Sequence, residues 1–206
     1  QISPFSILWL LLDDGTLASA TINEDENQFS WAHHTLGQYN SACVTDSILV
    51  VNKDDNTYSR LYIAGQRNDA NKYEVERLGL FWLPSGDTAL TALTTAYLDN
   101  YTARTVTAVS TTTPSANVPN GASVGVWING TYLGTKTVSG GSVALGATYT
   151  GTAYVGYTYT STIKQLPPEG GSGFGVSLVK TKRVHRVGTR VFSSYKVNHG
   201  NTESSL

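Results

Sequence analysis

One stretch limits what this chain can fold into more than any other. It is Ile7 to Gly37, which reads ILWLLLDDGTLASATINEDENQFSWAHHTLG. Ile7–Leu12 is an apolar run far too short to span a membrane. Asp14-Gly15 follows, a strong hairpin signal between apolar runs, because Asp and Gly tolerate the positive φ of tight turns. Thr16–Ile22 is a second β-prone run, and Asn23–Gln28 is an acidic connection. Phe29 and Trp31, with His33, then place every second residue on one face of a third strand. The expectation is an up-down-up meander with Trp9 and Trp31 on its outer strands. Both rings are expected to be buried near one another on one sheet, so that Trp31→Ala costs about 3–5 kcal/mol. Three strands cannot bury such rings unaided, so later segments are expected to cover them.

The rest of the chain has the composition of strands and turns. Only 14% of its 206 residues are charged, and apolar i, i+3, i+4 spacing is nearly absent, so the fold class is read as all-β. Ser41–Val44 and Ile48–Val51 flank Asp46-Ser47 as a further hairpin. Tyr58–Ala64 alternates as a half-buried strand, and Tyr73–Leu78 is another. Successive hairpins of this kind imply propeller-like blades or one antiparallel sheet. A helical turn or two fits Asp87–Leu93. From Tyr101 to Thr160 charges almost vanish. Strands are expected at Val106–Ser110, Val124–Ile128, Tyr132–Val138, Ser142–Leu145 and Tyr149–Thr160, with an Asn129-Gly130 hairpin turn. The expected organisation is a meander domain over 1–100 and a small inserted β-barrel or sandwich over 101–160. A linker and a final β segment over 161–206 then return to the first domain.

Cys43 is the single cysteine, which excludes an internal disulfide and fits a reducing compartment. The chain has no Met and enters strand structure soon after Gln1, as a segment of a longer polypeptide would. No secretory signal or membrane-length apolar run appears.

The chemistry-bearing residues offer little for catalysis. Glu24, Asp25 and Glu26 are adjacent in a turn, whereas acid–base pairs need carboxyls held across a substrate. His33 and His34 are strand neighbours pointing to opposite faces, a poor metal pair even with Cys43. Asn52, Asp54 and Asn56 imitate the start of a calcium loop, but Thr57 and Ile63 stand where its Gly and Glu belong. Neither a nucleophile elbow nor a phosphate loop is present. The expectation is therefore no enzymatic activity, no metal and no cofactor.

Charge is distributed unevenly. Residues 1–99 carry 13 acids and 5 bases, while 100–206 carry 2 acids and 9 bases, six of these between Lys180 and Lys196. Lys182, Arg183, Arg186 and Arg190 are the expected interface or phosphate-facing residues. Pairing with acids of the same or a neighbouring subunit is preferred over nucleic acid, because no aromatics are interleaved. A second candidate surface is aromatic: Trp127 and Tyr132, in an insert that also carries Tyr149, Tyr154, Tyr157 and Tyr159.

Several stretches carry a family resemblance. They are WLLLDDGTLASATINEDENQFSWAHHTLG (Trp9–Gly37), Cys43-Val44, YEVERL (Tyr73–Leu78), YLDN (Tyr97–Asn100), VGYTYTSTIKQLPP (Val155–Pro168) and KTKRVHRVGTRVF (Lys180–Phe192). In order and spacing the chain resembles the C-terminal part of the tail nozzle, or tail tubular protein B-like, head–tail stabilisation proteins of short-tailed bacteriophages. In that family an Asp-Gly-Thr-Leu hairpin leads to a tryptophan strand, here Asp14–Leu17 and Trp31. The family's Arg-His after it is replaced by His33-His34, and 102–152 departs most. The resemblance implies a virion structural protein, assembled in the host cytoplasm. Copies would form a ring below the portal and adaptor through which DNA passes. The rival expectation is a carbohydrate- or receptor-binding β module, with a glycan-cleaving tail enzyme third.

Overall fold

Alternating apolar residues and Gly- or Asn-bearing turns give this chain strands and short connections. The computed structural model describes residues 6–23, 27–36, 44–52, 59–68, 72–79, 96–114, 118–164, 188–190, 197–198 and 200, and the side chains of these except 28, 44, 52 and 107–114. Among the described residues the fold is all-β, with ten strands in three antiparallel sheets and no helix. The chain divides into two units, Gln1–Tyr159, which holds all ten strands, and Thr160–Leu206.

The first sheet is the expected meander: β1 (Ser6–Leu11), β2 (Leu17–Asn23) and β3 (Gln28–His34), in that order. Its hairpin differs in detail from a two-residue turn. Gly15 N–H donates to Leu12 O and Leu12 N–H to Thr16 O, both at 2.9 Å, and only Gly15 takes a positive φ, 78°. This is a type I turn closed by a glycine bulge, which spares Asp14 the left-handed conformation. Register then corrects the expectation for the tryptophans. Trp9 pairs with Ser19 and so with Ala32, while Trp31 pairs with Ala20 and so with Leu8. Side chains alternate across a sheet, so Trp9 and Trp31 point to opposite faces. Trp31 is 58% exposed, because Leu8, Leu10 and Phe29 share its face and are exposed too.

The second sheet holds β4 (Val44–Asn52), β5 (Ser59–Gln66) and β6 (Glu74–Arg77). Here Asp46-Ser47 does not turn the chain. Thr45 pairs with Gly65 and Ser47 with Ala64, leaving Asp46 as an extra residue in a continuous strand. A bulge absorbs the polar residue that reads as a turn in sequence. The alternation of β5 holds at its ends: Ser59, Leu61 and Gly65 are buried on one parity, Ile63 between them is half-buried, and Arg60, Tyr62 and Ala64 are half-buried on the other. Thr45 N–H reaches Gly15 O at 3.4 Å, joining the second sheet to the first.

The third sheet, ordered β7-β10-β8-β9, contains the main core. Its strands are β7 (Asp99–Pro114), β8 (Ser123–Ile128), β9 (Thr131–Thr137) and β10 (Ser142–Tyr157). β8 and β9 meet at Asn129-Gly130, where both residues have positive φ, 50° and 78°, as a type I′ turn requires. The Asn129 side chain donates to Thr150 O at 2.8 Å and lies over Gly151, where any Cβ would strike it. The two short strands expected at Ser142–Leu145 and Tyr149–Thr160 are one strand of 16 residues. Its register shifts between Ala144 and Tyr149 and again between Tyr149 and Gly151, so Gly146 reads as a break in sequence but is a bend in the strand. Both halves of β10 serve one core: Val143 and Leu145 from the first, Ala153, Val155 and Tyr157 from the second, against Val124, Val126 and Ile128. Each such fully buried aliphatic contributes about 1.5–3 kcal/mol. The sheet bends around this core without closing into a barrel.

The segments expected to form a helical turn at Asp87–Leu93 and a linker at Leu166–Gly173 lie outside the described residues, as does most of the final basic segment.

Candidate interaction surfaces and the buried ionic network

Four features bear on function. The first is the exposed apolar face of the first two sheets. Leu8, Leu10, Phe29 and Trp31 lie on one face of the first sheet, with Phe29 and Trp31 in edge-to-face contact at 5.2 Å. On the second sheet Leu49, Val51 and Val75 share a face by register and are also exposed. Sequence periodicity marks these residues as face-sharing, but it cannot say which face of a strand has a cover.

The second feature is the histidine pair. As neighbours on β3, His33 and His34 point apart. Thr16 Oγ1 lies 2.6 Å from Asp14 Oδ1 and 2.9 Å from His33 Nε2. The hydroxyl proton goes to the carboxylate, so His33 donates to Thr16 rather than activating it. Those Thr16 bonds also hold Asp14 below the ordinary carboxylate range. His34 Nε2 sits 2.7 Å from Ser19 Oγ, and its ring packs on Trp9 at 5.3 Å. Burial, and then the neighbouring His33, push His34 below the usual imidazole range. Ser19 is buried, so this pair pins β2 to β3 rather than presenting a nucleophile. No group of three His, Cys, Asp or Glu able to hold a metal occurs among the described residues. Glu24–Glu26, Cys43, Asp54 and Asn56 lie outside them.

The third feature has no motif in the sequence: a buried ionic network between the second and third sheets. Arg67 lies one residue beyond β5, with its side chain 2% exposed. Its Nε is 2.7 Å from Glu76 Oε1, and its Nη2 is 2.9 Å from Glu76 Oε2 and 2.8 Å from Asp99 Oδ1. The Nε contact is close but poorly aligned, a charge contact more than a directed hydrogen bond. Beside it, Asn68 Nδ2 donates to both Glu74 oxygens, Asn100 Nδ2 donates to Glu74 Oε2 at 3.0 Å, and Tyr157 OH donates to Asn68 Oδ1. Burial raises the pKa of Glu76, and the Arg67 charge opposes that rise. The network ties β6 to the starts of β7 and the end of β10. Its charged members, Arg67, Glu74, Glu76 and Asp99, all belong to the acidic half of the chain.

The fourth feature is aromatic. Tyr154, Trp127 and Tyr132 are cross-strand neighbours on β10, β8 and β9, on the face opposite the main core. Trp127 contacts Tyr132 at 5.3 Å and Tyr97 at 5.6 Å, and Tyr154 contacts Tyr101 at 5.7 Å. Trp127 is only 7% exposed, so it is no open platform: Ala96, Tyr97 and Leu98 lie over it. Glycine makes that cover possible. Gly125 and Gly156 pair directly, and a Cβ on Gly125 would meet Leu98 Cδ2 at 2.6 Å. Of the other insert aromatics, Tyr149 and Tyr157 face the main core. The exposed rings of this face are Tyr97 and Tyr101, which stand with Asp99 in the tetrapeptide-plus-one YLDNY.

No family model and no curated protein matches this chain. Of the basic candidates, Lys182, Arg183 and Arg186 lie outside the described residues, and Arg190 is exposed.

Proposed function

We propose that this protein is a structural subunit of the tail of a short-tailed bacteriophage, part of a ring below the portal and adaptor through which DNA passes. The sequence resemblance at Trp9–Gly37, Tyr73–Leu78 and Lys180–Phe192 motivates the reading. The observation that carries it is the exposed apolar face formed by Leu8, Leu10, Phe29 and Trp31. A lone Trp at a surface is unremarked, but a cluster of large apolar side chains on one flat sheet face favours association. In a ring the same face meets the next copy at a repeated, head-to-tail contact. On this reading the work of the chain is assembly and not catalysis, and no cofactor is required. Its partners are further copies of itself and adjoining tail proteins, assembled in the host cytoplasm into the virion tail. Arg190, with Lys182, Arg183 and Arg186, would pair with acids of a neighbouring copy, and contact with passing DNA would be weak and independent of sequence. Among the described residues no helix is long and apolar enough to cross a membrane.

Sedimentation velocity over a concentration series, with negative-stain micrographs of the heaviest species, tests the proposal. Ring-shaped particles that Trp31→Glu abolishes are the expected result. A protein that stays monomeric at high concentration, or rings indifferent to Trp31→Glu, would refute it.

A further inference from the structure

We infer that Asn129-Gly130 is a covalent-modification site gated by the fold: Asn129 deamidates when the β8–β9 turn opens, and the product can no longer latch β10. Asn-Gly is the dipeptide most open to this reaction, because glycine puts no side chain in the way of its own nitrogen. The chain has two such pairs, Asn129-Gly130 and Asn120-Gly121. The glycine nitrogen attacks the asparagine Cγ, an N–Cγ bond forms, and the Cγ–Nδ2 bond breaks. Ammonia leaves with the proton that the nitrogen carried. Water then opens the cyclic imide at either carbonyl, giving aspartate or isoaspartate, with no oxidant or cofactor consumed. Closing that ring needs the glycine nitrogen to eclipse the asparagine Cβ. The turn at Asn129 has φ of 50° and then 78°, the type I′ pattern. In that turn ψ of the first residue is about +30°, which sets the nitrogen nearly opposite Cβ. The side chain is held as well. Asn129 Nδ2 donates to Thr150 O at 2.8 Å, and the amide lies against Gly151, whose φ is 133°.

Asn120 is held in a different way. Ala122 N–H donates to Pro119 O at 3.2 Å, and Gly121 takes φ of 87° while Asn120 stays at negative φ, so this turn is type II. Its nucleophile is tied down, because Gly121 N–H donates to Val138 O at 2.9 Å. Its side chain is an acceptor: Gly141 N–H donates to Asn120 Oδ1 at 2.8 Å. The two sites therefore share a reaction and differ in its consequence. Deamidation replaces an amide by a carboxylate, which accepts hydrogen bonds and cannot donate them. At position 120 the carboxylate goes on accepting from Gly141. At position 129 it sets a charged acceptor against the Thr150 carbonyl, and the bond to the irregular stretch of β10 between Tyr149 and Gly151 is lost. Isoaspartate would also add a carbon to the main chain of a two-residue turn, whose length sets the register of β8 on β9.

Peptide mapping by mass spectrometry, on the full chain stored at mildly alkaline pH, tests the site beside synthetic peptides Val118–Val124 and Val126–Leu133. The peptides should convert at comparable rates. Each site should convert at least about tenfold more slowly in the folded chain, where it waits on local opening. Gly151→Ala, whose Cβ would displace the Asn129 side chain, should speed conversion at Asn129 and leave Asn120 unchanged. Should that variant fail to fold, Asn129→Asp supplies the product directly, with a turn that Asp-Gly also suits. It should lower the thermal midpoint by about 2–4 °C, and Asn120→Asp should shift it by less. The inference is overturned if Asn129 converts in the folded chain as fast as in its peptide. It is equally overturned if folded Gly151→Ala leaves that rate unchanged, or if Asn129→Asp melts no lower than Asn120→Asp.

Discussion

Replacing Arg67 by Met tests the buried network most directly. Methionine fills much of the same volume with no charge, so the perturbation is chiefly electrostatic. The guanidinium now neutralises Glu76 and Asp99, whose side chains are 19% and 23% exposed. Without it both carboxylates stay in a partly desolvated site and lose the cation that faces them. Removing one member of a buried pair costs about 3–5 kcal/mol, a large part of the roughly 5–15 kcal/mol that stabilises a typical domain. Urea unfolding, followed by tryptophan emission, measures the loss. The pH dependence separates charge from packing. Burial already raises Glu76, so the folded state holds more protons than the unfolded one between the ordinary carboxylate value and the raised one. Stability from this group is therefore full at low pH and lost as pH rises through the folded pKa. Arg67→Met removes the charge that opposes the rise of Glu76, so its deficit should be largest near pH 7 and shrink towards about pH 5. Adding Glu76→Gln should restore part of the loss at neutral pH. A deficit below about 1 kcal/mol, or one equal at both pH values, would show that the network is not desolvated as described.

Three further outcomes follow from the same geometry. Trp31→Ala should change monomer stability by less than about 1 kcal/mol in urea melts, in place of the larger loss that a buried ring would give. Gly125→Ala should cost about 1–3 kcal/mol by pushing Leu98 and Thr158 off the sheet. Gly156→Ala should cost more, since its Cβ would meet the backbone oxygen of Asp99 at 2.6 Å, and thermal melts would rank the two. His34 is held below the usual imidazole range, so its contribution is full above about pH 6.5 and falls as pH drops through the window beneath it. His34→Gln should flatten that part of the stability profile; an unchanged slope would assign it to another group.

Much of the fold is legible in the residues because it depends on local signals. Asp14-Gly15 and Asn129-Gly130 place two hairpins, and the alternation of Tyr58–Ala64 marks the strand described from Ser59 to Gln66. The misreadings have a common cause. Asp46-Ser47 and Gly146 carry turn residues, yet strand pairing on either side keeps the chain extended and turns each into a bulge. Trp9 and Trp31 look alike as large strand aromatics, but the parity of the intervening hairpins puts them on opposite faces. Trp127 reads as a surface aromatic because the residues that cover it, Ala96–Leu98, lie some thirty positions earlier in the chain. The Arg67 network was illegible for the same reason: Glu76, Asp99 and Tyr157 converge only in three dimensions.

Strand order also has a consequence for how the chain reaches this structure. The first two sheets join only consecutive strands, so each can form by closing short loops. The third sheet cannot, because β7 pairs with β10, with Asp99 opposite Tyr157. Closing that long loop costs entropy before the core of Val124, Val143 and Val155 offsets it, and topologies rich in such contacts fold slowly. The expected sequence of events begins with the Asn129-Gly130 hairpin, adds β10, and leaves the docking of β7 until last. On that order, destabilising the hairpin turn should slow folding, whereas Val106→Ala on β7 should chiefly speed unfolding, a division that stopped-flow kinetics can resolve. Arg67 finds Asp99 only once β7 is in place, so the ionic network closes late and secures an arrangement that other contacts have already selected.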